Sequence, residues 1–311
     1  MKEANSDLTL SQTVGVSGHF TLIIRKADAL GEAIPGTERV VAEFQNLITN
    51  TGLDFLCSSS EMNPQNCQVG SGSTTPANTD STLQTFTALT TTTFSGTSIT
   101  ANTSSPYYSS RVFSFRFLTG VATGTLTEIG MGITYSTPGN LLSRALILDV
   151  LGAPTSITVL SNEILDVIYT LRIYPPTTDT VTSVGLFTVT SRACMVTDTS
   201  SWGYIPLLYS FTVKAFPGGS HLTAITSSPH LVYTAMAGAA SSASVTTYVP
   251  GSYQEVGTII FEPELANSVL GISVITYTTR LGSWQIEFSP AIFKTAVQRL
   301  TLAILTTIAR A

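Results

Sequence analysis

Hydrophobic and polar residues alternate with a period of two along much of this chain. The clearest case follows Leu126, where Ile129, Met131, Ile133 and Tyr135 alternate with Glu128, Gly130, Gly132 and Thr134. This period is typical of a strand with one buried face. Turn residues at 136–140, an apolar strand at 141–148 and a long alternating strand around 165–173 follow. The stretch predicts an antiparallel meander that ends at Pro175-Pro176, because proline cannot donate to a sheet ladder.

The same alternation recurs on both sides of the meander. It predicts strands at 20–24, 40–44 and 111–117 upstream, and at 181–189, 205–214, 244–248, 257–261, 271–279, 284–288 and 300–308 downstream. One helix is predicted over 46–56, with Asn50 as its N-cap and Gly52 weakening it.

These elements predict an all-β protein: two antiparallel β-sandwich domains with at most one short helix. Residues 1–14 lack an apolar period long enough to anchor them and are expected to form an arm. Residues 15–175 would be the N-terminal sandwich and residues 176–311 the C-terminal sandwich. The boundary is set at Pro175-Pro176, the clearest linker in the chain.

Composition narrows the functional classes. Of 311 residues, 43% are hydrophobic and 11% are charged, and the net charge is -5. Nucleic-acid binding is not expected, because it needs clustered cations. The most apolar stretch, 300–308, is about half the ~20 residues of a membrane span. The first ten residues do not resemble a secretory signal, so synthesis in a cytoplasm is expected.

No residue pattern indicates a catalytic, cofactor or metal site. The three histidines are not in a ligand spacing, and the Gly-x-Gly pairs lack the third glycine and the helix of a nucleotide site. Glu262 and Glu264 flank a proline, an arrangement that a glycosidase could use but that a solvated turn explains more simply. Cys57 and Cys67 are close enough in sequence to bridge, although free thiols are the favoured interpretation.

Aromatic residues beside loops give the strongest binding signal. Trp202, Tyr204, Tyr248 and Tyr253 are the candidate receptor contacts. Aromatic faces stack on sugar CH groups, whereas the structural alternative is that these rings pin loops to the sandwich.

Several stretches of the chain resemble structural proteins of tailed bacteriophages, of the tail or tail-fibre type. They are GHFTLIIRKADA, FQNLITNTGLDFL, QVGSGSTTPANTDSTLQ, LTEIGMGITY, LLSRALIL, PTSITVLSNEILDVIYTLRIYPP and AIFKTAVQRLTLAILTTIARA. The segment beginning at Leu126 also resembles a hairpin in the attachment domains of some tail fibres. The resemblance implies a virion component made in an infected bacterium, present in several copies and without catalytic residues.

The expected function is therefore a non-enzymatic virion structural protein that serves tail assembly and host attachment. Its expected partners are copies of itself, with a trimer favoured, other tail proteins, and a glycan or protein of the host surface. Glu128, Ile129 and Gly130 form the candidate assembly face. Two alternatives remain open: a capsid decoration protein, and a tailspike-like enzyme that degrades polysaccharide.

Overall fold

The computed structural model describes residues 8–58, 63–96, 98–102, 104–184, 186–194, 212–216, 242–245, 247–265, 267, 269–279 and 281–311. Within these ranges the chain is all-β, as predicted. The strands are β1 (Leu8–Lys26), β2 (Arg39–Ile48), β3 (Asn66–Gly70), β4 (Phe86–Thr90), β5 (Ser98–Asn102), β6 (Tyr108–Phe117), β7 (Gly124–Leu126), β8 (Glu128–Gly132), β9 (Leu141–Leu146), β10 (Ile157–Val159), β11 (Glu163–Tyr174), β12 (Thr180–Val184), β13 (Phe187–Cys194), β14 (Thr212–Phe216), β15 (Ser242–Val245), β16 (Gln254–Phe261), β17 (Ile272–Thr279), β18 (Gly282–Ile292) and β19 (Leu300–Arg310). One helix, α1 (Asn50–Ser58), lies between β2 and β3.

The chain divides into two compact units. The N-terminal unit comprises Val16–Ile99, Ser110–Arg172 and Arg310–Ala311, and the C-terminal unit comprises Met1–Gly15, Thr100–Ser109 and Ile173–Ala309. The linker proposed at Pro175-Pro176 lies close to the division at 172/173. The two ends of the chain, however, each belong to the unit opposite to the one expected.

The arm predicted at the N-terminus is wrong over residues 8–14, which begin β1. Leu10, Gln12 and Val14 are at most 4% exposed, whereas the residues between them face outward. Gln12 Nε2 donates a hydrogen bond to Ser191 Oγ of β13, within the C-terminal unit. This stretch does alternate between buried and exposed positions. One buried position is Gln12, so the sequence shows no continuous apolar series there.

The N-terminal unit has the strand order β1-β2-β9-β8-β3-β4, with β11 paired to β1 and β6 paired to β11. All six residues of β9 are buried, which confirms its central position. The inward face predicted for β11 is confirmed, since Leu165, Val167 and Tyr169 are 0% exposed. Burial alternates only from Val167 onward, because residues 163–167 are all buried. Strand β8 differs from expectation: both of its faces are buried, and it ends at Gly132, so Tyr135 is 66% exposed.

Aromatic side chains fill the core of this unit. The rings of Phe20 and Tyr169 are 5.0 Å apart, and those of Phe113 and Tyr169 are 6.4 Å apart. Phe115 and Phe117 are buried as predicted, at 3% and 0% exposed. Rings at these centroid distances lie within the range that favours tilted and stacked aromatic pairs.

The N-cap of helix α1 is Thr49, one residue before the Asn50 that the sequence predicted. The hydroxyl of Thr49 accepts a hydrogen bond from Gly52 N at 2.9 Å, which is the N-cap to N3 contact of a helix start. Asn50 instead accepts from Arg310 Nη2 at 2.6 Å through its side chain. Leu53 and Leu56 pack into the core at 2% and 0% exposure.

The C-terminal unit contains an antiparallel sheet in the order β12-β13-β18-β17-β14. A second set follows the order β15-β16-β19-β1, of which only residues 8–15 of β1 belong to this unit. The single strand predicted over 181–189 is wrong. Residues 180–184 and 187–194 are two separate antiparallel strands, with Val184 paired to Phe187.

Candidate functional site

The structure brings together two of the four candidate receptor residues. Tyr248 and Tyr253 lie at the two ends of the turn before β16, and both are half-buried. The Tyr248 hydroxyl accepts a hydrogen bond from Tyr253 N at 3.2 Å. Trp202 and Tyr204 lie outside the described residues. The candidate surface is therefore defined here by the tyrosine turn, residues 248–253.

The tyrosine turn is a tight type II turn. Ser252 N donates to Val249 O at 3.1 Å, and Gly251 has the φ of +82° that the third position of this turn requires. Tyr253 has a φ of +53°, which costs an L-residue on the order of 1 kcal/mol. Ile308 N donates to Tyr253 O at 2.9 Å and holds this backbone against β19. The turn presents Val249, 65% exposed, between two anchored rings.

The candidate assembly face at Glu128, Ile129 and Gly130 is wrong, because these residues are in the interior. Glu128 and Ile129 are 0% exposed. A Cβ on Gly130 would lie 2.9 Å from Ser143 O, so the neighbouring strand passes close to it. The alternation in β8 indicated a polar face in solvent, but residues 71–85 cover that face.

The Glu128 carboxylate holds this covering segment in place. It accepts hydrogen bonds from Arg144 Nε at 3.0 Å and Arg144 Nη2 at 2.7 Å. It also accepts from three backbone amides, Gly72 N at 3.0 Å, Gln84 N at 3.1 Å and Thr85 N at 2.7 Å. A buried carboxylate needs this number of donors to offset its desolvation.

Arg144 completes the network from the next strand. Its Nη1 donates to Asp80 Oδ2 at 2.6 Å, and its Nη2 donates to Thr74 O at 3.1 Å. Burial alone would lower the pKa of Arg144, but the hydrogen bonds to Asp80 and Glu128 outweigh burial and raise it. Arg144 stays charged and ties Thr74 and Asp80 of the 71–85 segment to the sheet.

A second buried carboxylate is organised in the same way. Asp166 is 0% exposed and accepts from Arg116 Nε at 2.6 Å, Arg116 Nη2 at 2.7 Å and Arg25 Nε at 2.8 Å. The hydrogen bond to Asp166 raises the pKa of Arg116, and the Arg116 guanidinium lies 4.9 Å from the centre of the Phe94 ring. A general acid or base must face its substrate. Glu128 and Asp166 instead face donors of the protein, and their arrangement suits a scaffold.

The paired acids of the hydrolase alternative lie on a braced turn. Arg299 Nη2 donates to Glu262 Oε1 at 2.9 Å, and Arg299 Nε donates to Glu262 Oε2 at 3.1 Å. Lys294 Nζ donates to Pro263 O and Leu265 O, each at 2.8 Å. Glu264 is exposed. The segment is a surface turn held by two cations.

The cysteine prediction is confirmed for two residues. Cys57 and Cys67 are free and buried. Burial raises the pKa of the Cys67 thiol, which keeps it protonated and unreactive at neutral pH.

In the described part of the chain, no three His, Cys, Asp or Glu side chains are placed to hold a metal ion. None of its helices is long and apolar enough to cross a membrane. Comparison of the chain with protein-family models, curated proteins and solved structures finds no match.

Sequence reasoning missed Arg144 as the buried partner of Glu128, and Asp80 as the second carboxylate that Arg144 binds. A carboxylate in the middle of an apolar strand is a signal that a cation must be buried with it. The identity of that cation is set by pairing across 16 residues of chain and is visible only in the folded sheet.

Proposed function

We propose that this chain is a non-enzymatic structural protein of a bacteriophage virion, a tail or tail-fibre component that assembles as a homo-oligomer and contributes to host attachment. The observation that carries the proposal is the network around Glu128. Three of the stretches that resemble phage tail proteins meet there: 68–84, which contains Asp80, 126–135, which contains Glu128, and 141–148, which contains Arg144.

This convergence supports a scaffolding role for the shared residues. The charged members of these stretches are used to close a loop over a sheet, and they are 0–22% exposed in their side chains. A resemblance carried by core-forming residues fits a protein whose common feature is its fold, with recognition left to surface turns.

The tyrosine turn is the proposed host-contact surface. Its backbone is fixed by three hydrogen bonds involving Ser252, Tyr253 and Ile308. A fixed turn with two half-buried rings can offer aromatic edges to a sugar or protein without ordering a loop on binding. Replacing Val249 with a bulky charged residue should reduce binding of the chain to host cells, and Val297→Glu, exposed elsewhere in the same unit, serves as the control.

Location in the particle is tested by immunogold labelling of intact phage. We expect gold at the tail. Gold on the head would replace the tail assignment by the capsid-decoration alternative, and absence of the chain from purified particles would refute a virion role.

The enzyme alternative is tested by release of oligosaccharides from host envelope. We expect no release above that of a heat-denatured sample. Release that disappears in Glu262→Gln or Glu264→Gln would contradict the proposal and assign hydrolysis to the braced turn.

A further inference from the structure

Two loops of the N-terminal unit contain the same five-residue turn. Their sequences are Asp28-Ala29-Leu30-Gly31-Glu32 and Asp149-Val150-Leu151-Gly152-Ala153. In both, the aspartate carboxylate accepts from the backbone N atoms two and four residues later, at 2.8–2.9 Å. In both, the glycine has a φ near +80° and donates to the aspartate carbonyl oxygen. We name them the twin turns.

The leucine at the third position is not needed to form either turn. The aspartate side chain and the left-handed glycine supply the turn chemistry. Leu30 is 87% exposed and Leu151 is 89% exposed. Each is therefore a rigid apolar projection, and burying it against a partner would cost little conformational entropy.

The twin turns lie at one end of the N-terminal unit. Ala27 N donates to Asn162 O at 3.1 Å, which joins the first turn to the β10–β11 connection. A Cβ on Gly31 would lie 3.5 Å from Thr119 Oγ1, which joins it to the β6–β7 turn. The second turn leads into β10, whose strand pairs with β7. We name this region, residues 27–40, 118–123, 148–155 and 160–162, the loop end.

Large apolar side chains are concentrated at the loop end. They are Leu30, Ile34, Val40, Leu118, Val121, Val150, Leu151 and Leu160, with exposures from 38% to 100%. Soluble monomers seldom expose more than a few hundred Å² of contiguous apolar surface. A concentration of eight such side chains at one end of a unit marks a surface that a partner covers.

An open groove of about 480 Å³ lies beside the second turn. It is lined by Arg39, Val41, Ser156, Ile157, Thr158 and Leu160. The groove forms because β2 pairs with β9 only at Leu47 and Ile48, so that the beginning of β2 stands apart from β10. A projection and a receiving groove are thus present at the same end of one chain.

We propose that the loop end is the self-association surface of this chain, with Leu151 of one copy inserted into the groove of a neighbouring copy. The inference rests on the homo-oligomer proposed above and names its contact. Because projection and groove are different residues of one surface, the contact can repeat around a closed ring or be exchanged across a two-fold axis.

Charge at the loop end favours a second copy over a partner of one dominant sign. Exposed Lys26 and Arg39 stand among exposed Asp28, Glu32 and Glu38. A surface with both signs at its rim can complement itself, whereas a single-sign surface would repel its own copy.

The test uses the full chain and a pair of complementary variants. Leu151→Lys places a cation against the groove that contains Arg39, and Thr158→Glu places an anion in that groove. Each alone should raise the dissociation constant of the oligomer about 100-fold by sedimentation velocity. The double variant Leu151→Lys, Thr158→Glu should associate again, because the lysine of each copy meets the glutamate of its neighbour.

Val297→Lys is the matched control, since Val297 is 86% exposed in the other unit. It should assemble as the wild type does, and all variants should keep the wild-type circular dichroism and melting temperature. A monomeric wild type at high micromolar concentration overturns the inference, as does unchanged assembly of Leu151→Lys or failure of the double variant to associate. Protection of the loop end only on addition of purified tails would overturn it in favour of another virion protein.

Failure of the inference is separable from failure of the proposed function. If gold labels the tail but the Leu151→Lys variant assembles as the wild type does, only the contact proposed here is refuted. Loss of assembly in that variant without labelling of the tail removes only the location.

Discussion

At the scale of single residues, the fold depends on carboxylates that have no contact with solvent. Glu128 joins β8 to Arg144 of β9 and to three amides of the segment that covers them. Removing one partner of a buried ion pair leaves the other uncompensated, which is more damaging than replacing both with apolar groups.

Glu128→Gln should therefore destabilise the chain by about 3–5 kcal/mol. The glutamine side chain would direct an NH₂ group at the N–H donors that now bind the Glu128 carboxylate. Arg144 would then keep only Asp80 as a charged partner. Urea unfolding gives the free energy, with exposed Glu264→Gln expected to lie within about 0.5 kcal/mol of wild type. A loss for Glu128→Gln of less than about 1 kcal/mol would show that the network is not needed for stability.

Buried tyrosine hydroxyls predict a loss of stability at alkaline pH. Burial raises the pKa of Tyr169 to about 12, and burial also raises the pKa of Tyr277. Between the unfolded pKa near 10 and the folded value, the native state binds more protons than the unfolded state. The stability of the native state is therefore complete below pH ~10 and falls as pH rises toward 12.

Tyr169→Phe should flatten this alkaline decline by an amount on the order of 2 kcal/mol between pH ~10 and ~12. Urea unfolding at a series of pH values measures the slope, and the values at neutral pH give each protein its own baseline. An alkaline slope equal to that of the wild type would argue against a buried, neutral Tyr169 hydroxyl.

At the scale of elements, period-two alternation predicted where strands lie better than it predicted which of their faces are exposed to solvent. The apolar run of β9 gave both its position and its burial, and the alternation of β11 gave its position and its inward face. Alternation in β8 was correct as a strand signal but wrong about solvent, because it cannot report a loop that folds back from 56 residues earlier in the chain. The twin turns were missed because each is unremarkable alone, and only the repeat of Asp-x-Leu-Gly marks them.

Helix α1 shows how packing can reverse a local preference. Gly52 weakened the helix prediction, since alanine is favoured over glycine in a helix by about 1 kcal/mol. A Cβ at this position would collide with the Leu142 carbonyl oxygen and contact Ile48. The glycine allows the helix to lie directly on β9.

Gly52→Ala should consequently destabilise the protein, by about 1–3 kcal/mol, in spite of its better helix propensity. Gly96→Ala is the control, because a Cβ there meets nothing within 4 Å. Both are compared with wild type by urea unfolding. A Gly52→Ala protein more stable than wild type would mean that α1 does not approach β9 this closely.

At the scale of the whole molecule, sequence pattern supplied the all-β fold class, but not the placement of residues 8–15 beside β19. Residues 8–15 and β19 are adjacent in one strand order although almost the whole chain separates them. The pairing of strands that are so far apart in the chain cannot be recognised from the hydrophobic periodicity of a single sequence. Trp202 and Tyr204 were predicted as contacts because they are aromatic residues beside loops, and they lie outside the described residues.

Deleting residues 1–15 should lower the melting temperature and remove the cooperative unfolding of the C-terminal unit. The deletion removes Leu10, Gln12 and Val14 from its core and takes from β19 its neighbour on the side opposite β16. Hydrogen exchange of β18 and β19 peptides measures the effect, and a synthetic peptide of residues 1–15 should restore protection. Deletion of residues 1–7 alone is the control. Unchanged exchange after removal of residues 1–15 would contradict the strand assignment.

In the twin turns, the residues that fix the backbone are different from the residue whose side chain is displayed to a partner. Asp149 and Gly152 determine how the backbone reverses, and the side chain at position 151 takes no part in forming the turn. A lineage can therefore exchange what is displayed at this tip by a single codon change without risking the fold. Selection for a new neighbour would act on one side chain, while selection for folding would act on its flanks.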